Sequence, residues 1–170
     1  MEIKLSPFTK SDFGRLINWV SNEDLLITIA GLDFKFPLDD NQLSEYIELT
    51  DSWIFNIVLN HQIIGHGQII QSGSKRCKLD KLLIGDKTLR GQGIGEKLVR
   101  ELNNFAFKNL GMNEVELNVY DWNIAGIKCY EKVGFSINPG VEITTKTDKV
   151  KWKAINMSIR KRMWEAKTSK

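Results

Sequence analysis

The chain opens on a short alternating stretch, Ile3-Lys4-Leu5, which predicts a first strand ended by Ser6-Pro7. Phe13, Leu16, Ile17 and Val20 then share one face at helical spacing, and Ser11 or Asp12 can cap a helix over 12–21. After Pro37, Asp39 or Asp40 can cap a second helix carrying Leu43, Tyr46, Ile47 and Leu49. Residues 24–36 (DLLITIAGLDFKF) are apolar without a clean period and read as a loop or short helix lying over the core.

Strand patterns follow at 53–59 and 62–71, joined at Asn60-His61, and a Ser72-Gly73-Ser74 turn leads to another at 77–84. A glycine-rich loop precedes a strongly amphipathic helix. Ile94, Leu98, Leu102, Phe105, Ala106 and Leu110 form its inner face, with Glu96, Lys97, Arg100, Glu101 and Lys108 outside. Residues 114–120 alternate as a strand, 123–133 suggest a helix stopped by Gly134, and strands from Phe135 and near 150–159 end the pattern. This order predicts a mixed α/β layered sheet with a strand–loop–helix unit at its centre.

Composition changes the picture little. With 170 residues, 42% apolar and 26% charged, the chain fits one globular domain, 1–170, and no linker or repeat divides it. A net charge of +3 is too mild to argue for a nucleic-acid partner. Part of that excess lies in Arg160, Lys161, Arg162, Lys167 and Lys170, which read as a solvated, partly frayed basic tail over 160–170. Cys77 and Cys129 form no motif, no apolar run reaches membrane-spanning length, and Met1 to Leu5 lack the apolar core of a signal peptide. A reducing cytoplasm is the expected location, with no membrane partner.

The informative chemistry lies in Leu82-Leu83-Ile84-Gly85-Asp86-Lys87-Thr88-Leu89-Arg90-Gly91-Gln92-Gly93-Ile94-Gly95-Glu96. A buried-looking strand ends, and glycines alternate just before a helix begins. Such a turn exposes main-chain N–H groups at the positive end of a helix, an anion site suited to phosphate or pyrophosphate. A dinucleotide fingerprint needs glycine where Glu96 stands, and Gly95-Glu96-Lys97 lacks the Gly-Lys-Ser/Thr of a P-loop. The bland alternative is a tight strand-to-helix connection. Arg90, Gly93 and Gly95 form Arg-x-x-Gly-x-Gly, and this resembles the coenzyme A pyrophosphate loop of the GNAT acetyltransferases.

A second motif strengthens the resemblance. Asn123-Ile124-Ala125-Gly126-Ile127-Lys128-Cys129-Tyr130-Glu131-Lys132-Val133-Gly134-Phe135 looks like the GNAT signature Asn-x-x-Ala-x-x-x-Tyr-x-x-x-Gly-Phe, with Gly126 where alanine is usual. The resemblance covers 77–159 and, more loosely, the N-terminal helices. It implies a central mixed, mostly antiparallel twisted sheet of six to seven strands flanked by about four helices. It also implies an acceptor-side part over 1–76 and an acetyl-CoA-binding core over 77–159.

The resemblance further implies an acetyl-CoA-dependent transfer to a primary amine, without a metal, by direct attack in a ternary complex. Arg90, Gly91, Gln92, Gly93, Ile94, Gly95 and Glu96 would hold the pyrophosphate. The backbone around Leu83, Ile84 and Gly85 would pair with pantetheine where the strand splays from its neighbour, and a main-chain N–H there would stabilise the oxyanion. Tyr130 would protonate the departing thiolate as general acid, its alternative being a core tyrosine whose hydroxyl is satisfied by backbone. Asn123 can cap its helix and bond the pantetheine arm.

An ammonium, with a pKa of about 8 at a chain terminus and about 10.4 on lysine, must lose a proton before attack. Asp80, ten residues before Arg90, stands where the ribosomal-protein N-terminal acetyltransferase-like branch carries an acidic residue, and is the candidate base. Where other members place a glutamate this chain has Asn118, which can only orient a water, and Asp121 and Glu116 are weaker candidates. His61, His66 and Cys129 read as structural, and Trp122 as the tryptophan nearest the ligand. Residues 30–38 are a plausible acceptor lip, apolar and little charged. The rival function is a non-catalytic acyl-CoA-binding sensor, and a nucleotide-binding protein is disfavoured by the missing motif residues. The expected partners are acetyl-CoA and an amine acceptor, and the chain is expected to be a monomer or a homodimer.

Overall fold

The computed structural model describes residues 2–169. Seven strands make one sheet: β1 (Ile3–Pro7), β2 (Ser52–Leu59), β3 (Gln62–Gly73), β4 (Arg76–Ile84), β5 (Glu114–Tyr120), β6 (Ser136–Lys146) and β7 (Lys151–Arg160). Their order across the sheet is β1-β2-β3-β4-β5-β7-β6. The first four strands pair antiparallel in sequence, with Asn60 and His61 both at positive φ (49° and 65°) at the β2–β3 tip, as a two-residue hairpin turn needs. The chain then crosses over through a helix, so that β5 runs parallel to β4, and β7 and β6 add antiparallel beyond it.

Six α-helices stand among the described residues, where about four were expected: α1 (Phe13–Trp19), α2 (Glu23–Ala30), α3 (Asp40–Ile47), α4 (Ile94–Asn104), α5 (Ile124–Val133) and α6 (Lys161–Thr168). The first addition, α2, resolves the irregular stretch 24–36. The Asn22 side chain accepts from the Leu25 N–H at 2.8 Å to cap it, and Leu26, Ile27 and Ala30 are buried. The second, α6, forms where a frayed tail was expected. Trp164 is only 4% exposed and packs against Phe107, so one aromatic anchor outweighs the surrounding lysines and arginines.

Each face of the sheet carries its own core. On one, α4, α5 and Trp164 pack against Ile57, Ile69, Cys77, Leu79, Leu117 and Met157. The last turn after α4, Phe105–Asn109, widens to a π-helix, and the wider turn carries Phe107 as well as Ala106 onto the buried side. On the opposite face, α1 to α3 gather Phe13, Leu16, Leu26, Leu43 and Tyr46 around Leu83. Asp12 ties α1 to the sheet: its carboxylate accepts from Asn56 Nδ2 at 2.9 Å, Arg15 Nη1 at 2.7 Å and the Thr9 N–H at 2.9 Å. Burial alone would raise its carboxyl, but these donors outweigh burial and hold it below the usual range.

Candidate functional site

The site begins where the sheet fails to close. β4 and β5 pair over four residues, from Arg76↔Glu114 to Leu79↔Leu117, and then part although both strands continue. Pairing with β3 explains why. His66 faces Leu83 and Gln68 faces Asp80, so Lys81 and Leu82 together oppose the single residue Gly67. This is a β-bulge, with Lys81 at φ 50° in the left-handed region. Bulges bend a strand and raise its twist, and here the bend carries the end of β4 away from β5.

Beyond the bulge the strand's main-chain groups sort by side. The Gly85 N–H donates to the Ile64 carbonyl at 2.9 Å, and the Leu83 carbonyl lies against Gly65 on the β3 side. By the alternation of strand backbone, Ile84 turns its N–H and C=O toward the gap left by β5. Gly85 also has a packing reason to lack a side chain, because a Cβ there would overlap the Trp19 indole. Of Leu83, Ile84 and Gly85, expected to pair with pantetheine, Ile84 is therefore the one whose backbone faces the gap.

The loop after β4 is pinned at both ends. Asp86 accepts from the Thr88 N–H at 2.9 Å and from the Thr88 hydroxyl at 2.6 Å, and Gln92 Nε2 donates to the Thr88 carbonyl at 2.8 Å. Arg90 Nη2 donates to the Ile84 carbonyl at 3.1 Å. Gly91 and Gly93 both hold φ of 76°, and a Cβ at either would meet open space. Gly93 is the N-terminal cap of α4, so the first N–H groups of that helix, which have no partner within it, lie beside an open glycine surface. A pyrophosphate fits such a cradle. Glu96 would oppose an anion, yet hydrogen bonding from Arg100 at 2.9 Å, with Lys132 at 3.7 Å, turns its charge aside and holds its carboxyl below the usual range.

On the far side of the gap stands α5. Asn123 Oδ1 accepts from the Gly126 N–H at 3.0 Å and caps it, which leaves Nδ2 as a donor at the cavity wall. A Cβ at residue 126 would come within 2.7 Å of that Nδ2, so glycine in place of the expected alanine is what lets the amide lie there. One turn on, Cys129 faces Gly95 of α4, and burial raises its thiol, which suits packing rather than attack.

A cavity of about 320 Å3 lies in the gap, walled by residues 28–33, by 78–82 of β4 and by 117–120 of β5, with Asn123 and Tyr130 on the α5 side. It brings together the expected Tyr130, Asp80 and Asn123, and also Asn118, whose Oδ1 accepts from Asn156 Nδ2 at 2.9 Å. The three tyrosines differ sharply. The Tyr46 hydroxyl bonds His66, and the Tyr120 hydroxyl bonds the Ile27 carbonyl and Thr145. The Tyr130 hydroxyl has no protein partner among the described residues, although burial pushes it above the ordinary range and keeps it protonated.

Asp80 is not a lone carboxylate. Lys81 Nζ donates to it at 3.2 Å, and Lys78 Nζ lies 3.6 Å away. Lys81 also donates to Asp33 of the lip at 2.6 Å. Sequence reasoning missed Lys81, and its signal was a slip in alternation: Cys77 and Leu79 face one core, and so do Leu82 and Ile84. Trp122, expected near the ligand, stands outside the cavity, about half exposed and stacked on Tyr120 at 5.8 Å. Glu116 lines a neighbouring open groove instead. His66 is buried against Tyr46 on the α3 side, as a structural role requires.

Residues 2–136 match the acetyltransferase (GNAT) domain family. An aminoglycoside N(6')-acetyltransferase type 1 of Klebsiella pneumoniae is 26% identical over 148 residues, which span 78% of this chain and 73% of that one. The fold superimposes on an aminoglycoside acetyltransferase in complex with coenzyme A with a TM-score of 0.79, at 18% identity over 98% of this chain and 99% of that one. A spermidine N-acetyltransferase of Vibrio cholerae, in complex with CoA and spermine, gives 0.81 at 15% identity over 96% and 98%.

Proposed function

Because the chain belongs to the acetyltransferase (GNAT) family and is an acetyl-CoA-dependent N-acetyltransferase, we propose how its own residues divide the work. The reading is direct transfer of the acetyl group to a primary amine bound in the β4–β5 gap. The thioester supplies an activated acyl group, and everything else falls to the protein.

The N–H groups at the start of α4, with Gly91 and Gly93 clearing their approach and Gly95 turned toward Cys129 of α5, grip the diphosphate, and the helix dipole adds to that grip. Arg90, Gln92 and Ile94 hold the loop in shape. Ile84 offers its main-chain N–H to the pantetheine arm, its C=O already accepting from Arg90 Nη2, with Leu83 and Gly85 anchoring the strand behind it. Asn123 Nδ2 donates to the same arm. Tyr130 gives its proton to the departing sulfur, and a half-buried side chain whose hydroxyl lines the cavity without a protein partner among the described residues is what supports this role. Asp80 is the proposed base, through water, because its carboxylate shares the cavity with Tyr130. To take a proton it must loosen its pairs with Lys81 and Lys78.

The observation that carries the reading is the Tyr130 hydroxyl, without a protein partner among the described residues, at the wall of the cavity between β4 and β5. Mixing the protein with acetyl-CoA and a panel of primary amines, then following free thiol and acetylated product, tests it. Transfer to at least one amine is expected. Acetyl-CoA binding with no transfer to any of them favours the non-catalytic sensor, and no binding at all removes the site.

Asp80 keeps us placing the chain near the ribosomal-protein N-terminal acetyltransferase-like branch, although the named relatives act on other amines. We read the chain as a single cytoplasmic domain, monomeric or homodimeric. The unpaired Cys77 and Cys129 suit a reducing compartment, and no helix among the described residues is long and apolar enough to cross a membrane.

A further inference from the structure

Lys81 is the extra residue of the bulge, and its side chain is only 4% exposed. Its ammonium lies 5.5 Å from the ring centroids of both Phe34 and Tyr46 and reaches Asp33 at 2.6 Å and Asp80 at 3.2 Å. The charged side chains that line the cavity are Asp33, Asp80, Lys78 and Lys81: two carboxylates and two ammonium groups, with each carboxylate engaged. Ile29, Leu32, Leu82 and Ile143 supply apolar wall around them.

A cationic acceptor needs fixed negative charge near each ammonium it buries, and like charges set side by side are costly. This cavity offers none in surplus. We propose that Lys81 determines acceptor class, admitting a primary amine with a single charge on a largely apolar body and disfavouring polycations; the proposal rests on the acetyltransferase reading above. Lys81 does so by occupying Asp33 and Asp80 at once, which also clamps the 30–38 lip to β4.

The test compares kcat/KM for phenethylamine and spermidine, at low and high salt, in the wild-type protein and in Lys81→Met. The wild type is expected to favour phenethylamine by about tenfold or more, the equivalent of one good charge contact. Lys81→Met should move the ratio toward spermidine by about tenfold, with a gain that fades as salt screens the freed carboxylates. Asp33→Asn, at an exposed position, should move the ratio the opposite way, and it keeps the test decisive if the methionine variant does not fold. A wild-type preference for spermidine, or a ratio that neither substitution moves, overturns the proposal while leaving the acetyltransferase reading intact. Bound acetyl-CoA with no transfer to either these or any other amine overturns both.

Discussion

The Tyr46 hydroxyl and His66 Nε2 meet at 3.0 Å across the interface between α3 and the sheet, with no solvent around them. Burial drives the imidazole down from 6.5 to about 3, and the nearby Lys81 charge pushes the same way against a weaker opposite pull from Asp12. Between pH 6.5 and 3 the unfolded chain therefore binds a proton that the folded chain refuses. Stability contributed by neutral His66 is complete above pH 6.5 and is lost as pH falls through that window. Denaturant titrations at pH 7 and pH 5 should show a loss of about 2 kcal/mol from this group, absent in His66→Gln. Equal pH dependence in the two proteins would sink the assignment.

Replacing Tyr130 by phenylalanine keeps the ring against Phe135 and removes the proton. Turnover should fall by about a hundredfold or more, with acetyl-CoA affinity nearly unchanged. Steady-state thiol release, set beside a calorimetric titration, separates the two quantities. Unchanged turnover takes Tyr130 out of the acid role.

Gly93 holds φ of 76° at the mouth of the glycine cradle. Valine there costs about 1–2 kcal/mol of backbone strain and projects methyl groups into the space the diphosphate would fill. Gly93→Val should abolish acetyl-CoA binding while the far-ultraviolet spectrum stays that of a folded protein. Retained affinity would refute the loop assignment.

Trp164→Ala removes the anchor of α6 from the core beside Phe107, and a loss of about 3–5 kcal/mol is expected in equilibrium unfolding. A change within about 0.5 kcal/mol would mean that the last helix contributes as little as an exposed tail.

Much of this was legible because local rules and tertiary needs agreed. Glu114–Tyr120 alternates in sequence and forms β5 with those bounds, and Gly134 ends α5 at φ 120°, where other residues are strained. The glycine loop and Tyr130 could be singled out because each residue type is demanded by its chemistry. What stayed hidden was relational. Lys78 and Lys81 stand two before and one after Asp80, but a regular strand would send Asp80 and Lys81 to opposite faces; only the bulge sets them together. The 160–169 stretch reads as a tail for another reason: its charges dominate the local pattern, while the helix depends on Trp164 reaching Phe107, a contact distant in sequence.

That bulge has a further consequence for how the protein tolerates change. Leu79 before it and Leu82 and Ile84 after it all point into the same core, so taking out residue 81 would turn no buried side chain outward. The shortened strand would instead run on in register alongside its parallel neighbour and seal the slot. An intact core and a lost crevice can thus differ by one amino acid of chain length.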